Sequence, residues 1–192
     1  MAKPAAGKRK GSMIKKQIPQ GSLLYHAVHG LCRVNRLIKQ DHSGEEVLCY
    51  SLEPKNANKM RVRFLIPVSD MDASGFHKLV SEKEANEILD YLKDGDDSDT
   101  NDEPEAASSL AEGHRAWGLA RKVRLFSTQS LELRDQRKRQ MLERSMKGLV
   151  GELAIVFDIS CREAAEKVGK SLGKSSKTNP WLVTALAHAG EE

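Results

Sequence analysis

At 192 residues, with 39% apolar and only 5% aromatic side chains, the chain has room for two small domains rather than one with a large aromatic core. No apolar run approaches the roughly 20 residues of a membrane helix, and Cys32, Cys49 and Cys161 are too few and too irregularly spaced for a disulfide framework. The net charge of +4 comes from 31 basic and 27 acidic residues that are unevenly placed, which argues for tails, linkers and a polyanion-facing surface.

The start, MAKPAAGKRKGS, is basic and aperiodic. Residues 1–18 therefore read as a disordered arm. It has neither the apolar core nor the small-residue cleavage site of a secretory signal, which points to the cytoplasm. From Gly21 to Pro67 the pattern is short and strand-like: SLLYHAV, LCRVNRLI, EEVLCYSL and KMRVRFLIPV, with turn signals in KQDHSGE and EPKNANK. This predicts a small, strongly bent antiparallel sheet or half-open barrel, with Pro67 ending the last strand or lying at an edge because it cannot donate to a ladder. Ser81 and Glu84 have capping-box spacing ahead of Ala85, Ile88, Leu89 and Leu92, so one short helix closes a first domain at 19–93.

Residues 94–108 combine acids, Ser, Asn and Pro104 and read as a flexible, self-repelling linker. A helical domain follows at 109–190. Its first helix covers Leu110 to Phe126, and a long second one runs from Leu131 to Phe157 with Leu142, Met146, Leu149, Leu153 and Val156 as its stripe. SCRE at 160–163 is a second capping box, opening a helix through Ala164, Ala165 and Val168 towards Leu172. Asn179 and Pro180 start a last helix, Trp181 to His188. The fold class is α+β.

Catalytic and metal motifs are weak. In HAVHGLCRV, residues 26–34, His26, His29 and Cys32 recur every three residues, but on a strand successive side chains alternate, so His26 and His29 are expected on opposite faces. Gly30 reads as a backbone requirement and His29 as a packing residue; both are structural. Gly169 and Gly173 lack Walker spacing and a preceding strand, and Asp41, His42 and Ser43 are merely adjacent. The expectation is a non-enzyme without metal or cofactor.

The segment HRAWGLARKVRLF is more informative. On a helix, Ala116, Leu119, Val123 and Phe126 point inward, while Trp117, Arg121 and Arg124 fall together on another face. Two readings stay open. Guanidinium groups reach phosphates and an apolar ring wedges between base steps, which suits DNA; alternatively Trp117 covers a neighbouring helix and the arginines snorkel around it.

Taken in order, these segments resemble the CarD and CdnL family of bacterial transcription regulators, and the first domain resembles the RNA polymerase-interacting domain of the transcription-repair coupling factor. GSLLYHAVHGLCRV at 21–34 is similar to that domain's opening, VRFLIPV at 62–68 to its strand with a valine-proline step, and DASGFHKLVSEKEANEILDYL to the glycine, apolar run and helix that follow. MLERSMKGLVGELA at 141–154 is similar to the family's long helix ending in Gly-Glu-Leu-Ala. The resemblance implies a Tudor-like domain on the polymerase β subunit, with Lys39, Arg61, Arg63 and Leu65 as contacting positions, Leu65 standing where the family has an arginine. It also implies a monomer whose helical domain touches promoter DNA largely without sequence preference, Trp117 being the minor-groove wedge and Arg115, Arg121, Lys122 and Arg124 its basic support. Open-complex stability is then modulated without catalysis. A free-standing, nucleoid-associated DNA-binding protein and an adaptor without DNA contact are the rival readings.

Overall fold

The structure is a computed structural model, and it describes residues 17–42, 45–55, 62–94, 115–128, 136–174, 177 and 179–191. The expected basic arm before residue 17, the linker at 95–108, the helical residues expected at 110–114 and 131–135, and Arg61 lie outside the described residues.

The architecture is α+β, a curled four-stranded antiparallel sheet followed by helices. Strands β1 (Leu23–His26), β2 (Gly30–His42), β3 (Glu45–Pro54) and β4 (Phe64–Pro67) pair in sequence order. β1 pairs only with the start of β2, from Leu23↔Arg33 to His26↔Gly30, and β4 only with Cys49 to Leu52 of β3. The hairpin of β2 and β3 therefore continues past both as a two-stranded ribbon, paired out to His42↔Glu45. The turn expected at 39–45 is shorter than its composition suggested, because cross-strand partners hold the flanking residues in register. A register irregularity between Val34 and Arg36 bends β2, as an inserted residue strengthens local twist. Pro67 is the last residue of the edge strand, where its missing N–H leaves no ladder bond unmade.

The inner face of the sheet closes over Leu24, Cys32, Val34, Tyr50, Leu52, Ile66, Met71 and Phe76. Tyr50 turns its hydroxyl outward to accept the Ile18 N–H at 2.8 Å, tying the chain entering β1 to β3. A 3-10 turn (Val68–Asp70) then leads into α1 (Glu82–Asp94). The capping box forms: the Ser81 N–H donates to Glu84 Oε2 at 2.8 Å and the Glu84 N–H to Ser81 Oγ at 3.3 Å.

Helices α2 (Ala116–Thr128), α3 (Gln136–Phe157), α4 (Cys161–Leu172) and α5 (Pro180–Gly190) build a second core. Ala116, Leu119, Val123 and Phe126 of α2 and Leu142, Met146, Leu149 and Leu153 of α3 are all buried in it. Ser160 and Glu163 form the expected box on α4, and Asn179 accepts the N–H groups of Trp181 and Leu182 at the start of α5. The helix expected to close the first domain packs elsewhere: Ala85, Ile88 and Leu92 of α1 belong to this helical core. An amphipathic helix buries its stripe against the largest apolar surface within reach, and here that surface is supplied by α2, α3 and α4.

Candidate partner and nucleic-acid surfaces

The sheet sits directly on α3, and two helical glycines make room for it. A Cβ at Gly148 would lie 2.7 Å from the Ala27 Cβ, and one at Gly151 would lie 2.6 Å from the Tyr25 hydroxyl. Tyr25 donates that hydroxyl to the Gly148 carbonyl at 2.9 Å. Its backbone exchanges bonds with His77 at 2.7 and 3.0 Å, so residue 77 partly covers the outer edge of β1.

His77 and Glu152 complete this seam. The ring Nε2 lies 3.1 Å from Glu152 Oε2 and Nδ1 lies 3.1 Å from the Gly75 carbonyl, while Glu152 Oε1 accepts the Val80 N–H at 3.2 Å. A carbonyl only accepts, so Nδ1 is the donor towards Gly75, and the Glu152 carboxylate faces the other ring nitrogen. Both groups are buried, Glu152 completely. A buried carboxylate is tolerated when its oxygens are hydrogen-bonded, as both are here. This cluster escaped sequence reasoning, although two signals were present. Glu152 stands inside the apolar stripe next to Leu153, and Gly148 with Gly151 interrupts a helix interior at roughly 1 kcal/mol each relative to alanine.

The turn from His26 to Gly30 corrects the expected orientation of its histidines. β1 ends at His26 and residues 27–29 turn, so strand alternation is interrupted. The His26 and His29 rings stack at 4.6 Å, and His26 Nδ1 accepts the N–H groups of Val28 and His29. His29 also packs on Phe64 at 4.4 Å, and Gly30 takes a φ of +67° that suits glycine. Cys32 is buried, and that burial pushes its thiol up to about 11. Among the described residues, no three His, Cys, Asp or Glu side chains are grouped as a metal site would need.

Of the positions assigned to the sheet's partner face, Leu65 is exposed on the edge strand β4, 42% open to solvent. Arg63, just ahead of β4, pairs with Glu53 at 2.7 Å, and Lys39 pairs with Glu46 at 2.7 Å on the ribbon. The edge of β4 has no strand on its other side among the described residues, which leaves an available ladder. Lys39 lies on β2 in the ribbon and is not brought to that edge.

The positions assigned to DNA are divided between surface and packing. Arg115 and Arg121 are exposed. Trp117 is half-buried against the helical core, with the Tyr91 ring of α1 meeting it edge-on at 5.8 Å. Arg124 reaches across to donate to the Leu92 carbonyl at 2.9 Å, satisfying an acceptor in the last turn of α1. Lys122 is half-buried, and desolvation holds its ammonium below the ordinary lysine range. The shared face of Trp117, Arg121 and Arg124 thus serves partly as the bed on which α1 lies.

No helix among the described residues is long and apolar enough to cross a membrane. The chain matches no protein-family model and no curated protein.

Proposed function

We propose that this chain is a non-enzymatic regulator of bacterial transcription of the CarD and CdnL type. The sheet, in this reading a Tudor-like module, docks on the RNA polymerase β subunit, and the helical part contacts promoter DNA at the edge of the melting region. The observation that carries the reading is the joint architecture: a curled sheet with an open edge strand is seated on α3 of a bundle whose α2 and α3 carry many of the chain's cations.

Docking on polymerase raises the local concentration of a weak backbone contact, so little intrinsic DNA affinity is needed. The open edge of β4, with Leu65 on it and Arg63 beside it, offers main-chain groups to a strand of the partner. Trp117 supplies the wedge through its exposed rim, and insertion costs a few kcal/mol per base step, which favours DNA already opening. Arg121 and Arg124 share its face of α2, with Arg115 just ahead of the helix and Lys122 further round it.

Because α1 packs in the helical core, the test uses the full chain. It should co-purify with the polymerase β subunit, and Leu65→Asp should abolish capture. No capture of the wild-type chain overturns the reading. Trp117→Ala should leave capture intact and shorten open-complex lifetime roughly tenfold, equivalent to about 1.4 kcal/mol; an unchanged lifetime removes Trp117 from the mechanism.

A further inference from the structure

The cations of α3 are not equivalent. Between Gln136 and Lys147 the helix carries Arg137, Lys138, Arg139, Arg144 and Lys147 against the single acid Glu143. At 3.6 residues per turn, Arg137, Gln140, Met141, Arg144 and Lys147 fall within about a third of the helix circumference. All five are exposed, Met141 by 47%. Arg139 projects from the opposite side, where its guanidinium lies 4.3 Å from the centroid of the half-buried Trp181 ring of α5 and serves packing.

The same face continues to Gly148, and there the sheet covers it through Ala27. Val28, next in the turn, is 67% exposed. The outward stripe of α3 therefore begins at the end of the bundle, runs some 15 Å along a straight helix at 1.5 Å per residue, and stops against the sheet. Among the described residues neither Arg137 nor Arg144 has an acidic partner.

We propose that this stripe of α3, rather than the face of α2, is the main phosphate-contacting surface, and that its ligand is the backbone of duplex DNA. The inference rests on the promoter-DNA reading above and changes which helix carries it. A duplex presents one negative charge per roughly 1.7 Å of axis, twice the density of a single strand, so a rigid row of cations meets several phosphates at once. Gln140 adds a neutral donor, and the exposed Met141 lies along the groove wall. On α2, by contrast, Arg124 is engaged with the Leu92 carbonyl and Lys122 is half-buried. The position beside the sheet also places bound DNA next to whatever the sheet engages.

Fluorescence anisotropy of the full chain with a labelled random-sequence duplex, followed across a salt series, tests this. Arg137→Ala with Arg144→Ala should weaken binding at least about tenfold and reduce the salt slope by about two. The pair Arg115→Ala with Arg121→Ala should lose less than about threefold, and Lys83→Ala on α1 should be unchanged. A greater loss from the α2 pair overturns the assignment to α3 while DNA binding itself stands. Equal competition by a single strand overturns the duplex assignment. No duplex binding by the wild-type chain removes both this inference and the DNA half of the functional reading. Loss of polymerase capture with the α3 dependence intact removes only the polymerase half.

Discussion

The sheet and the helical bundle reach their cores by different routes. In the sheet, neighbours in sequence are neighbours in space: β1 to β4 pair in order, and hairpin register places Cys32, Val34, Tyr50 and Leu52 on the closed side. In the bundle, Ile88 and Leu92 meet Leu149, Val168 and Leu182 in one cluster, from elements far apart along the chain. The consequence is that α1, which follows the sheet directly, is held by helices that come after the acidic segment. A cut near residue 93 would strip the bundle of one helix, so sheet and bundle are expected to unfold as one unit. Their seam is polar, built on Tyr25, His77 and Glu152, whereas each core is apolar.

The seam is the place to break that unity, and Glu152→Ala should have the largest effect. It leaves the buried His77 ring and the part-buried Val80 N–H without their carboxylate, at a cost of about 1–3 kcal/mol for each group left unsatisfied. Urea denaturation followed by tyrosine and tryptophan fluorescence should then show two separated transitions, the sheet and the bundle having lost their shared anchor. A single unshifted transition would contradict the role given to the pair.

Gly148→Ala comes next. Its Cβ meets Ala27 Cβ at 2.7 Å, so overpacking of about 1–3 kcal/mol outweighs the helix-propensity gain of nearly 1. Ala27→Gly in the same chain should recover most of the loss, and an absence of recovery would place the clash elsewhere.

The smallest effects sharpen the assignment of α1. Ser81→Ala and Ser160→Ala each remove a capping hydroxyl, worth about 1 kcal/mol, and both should lower the same helical transition if α1 and α4 share one core. Glu84 and Glu163 sit below the ordinary carboxylate range, first through the backbone N–H of Ser81 and of Ser160, then through the serine hydroxyls. A carboxylate held lower in the folded state stabilises it fully above the usual glutamate value of 4.5 and loses that contribution as pH falls through the folded value. Thermal melts between neutral pH and pH 3 should therefore lose less stability in the Glu84→Gln, Glu163→Gln double variant than in the wild type. Equal losses would mean that the caps are not the titrating groups.

Both capping boxes, the α2 and α3 stripes, the four strands and the role of Gly30 were legible from residue order, because each depends on contacts within a few positions. The opposition of His26 and His29 was not, since a turn at 27–29 overrides strand alternation and stacks the two rings. The face of Trp117, Arg121 and Arg124 was correctly placed on one side of a helix. What lies on that side, Tyr91 and the Leu92 carbonyl of α1, is some 30 residues away in sequence and invisible to periodicity.

The sequence by itself determined local form: where strands turn, where helices start, and which faces are apolar or basic, since backbone geometry and short-range hydrogen bonds act over a few residues. Only the tertiary structure decided partnership. It took α1 into the helical core, matched Gly148 and Gly151 to Ala27 and Tyr25, joined His77 to Glu152, and left Arg137 and Arg144 facing solvent while Arg124 and Arg139 were used in packing. The physical reason is that burial and close approach depend on what the rest of the chain brings alongside, and no window of sequence contains that.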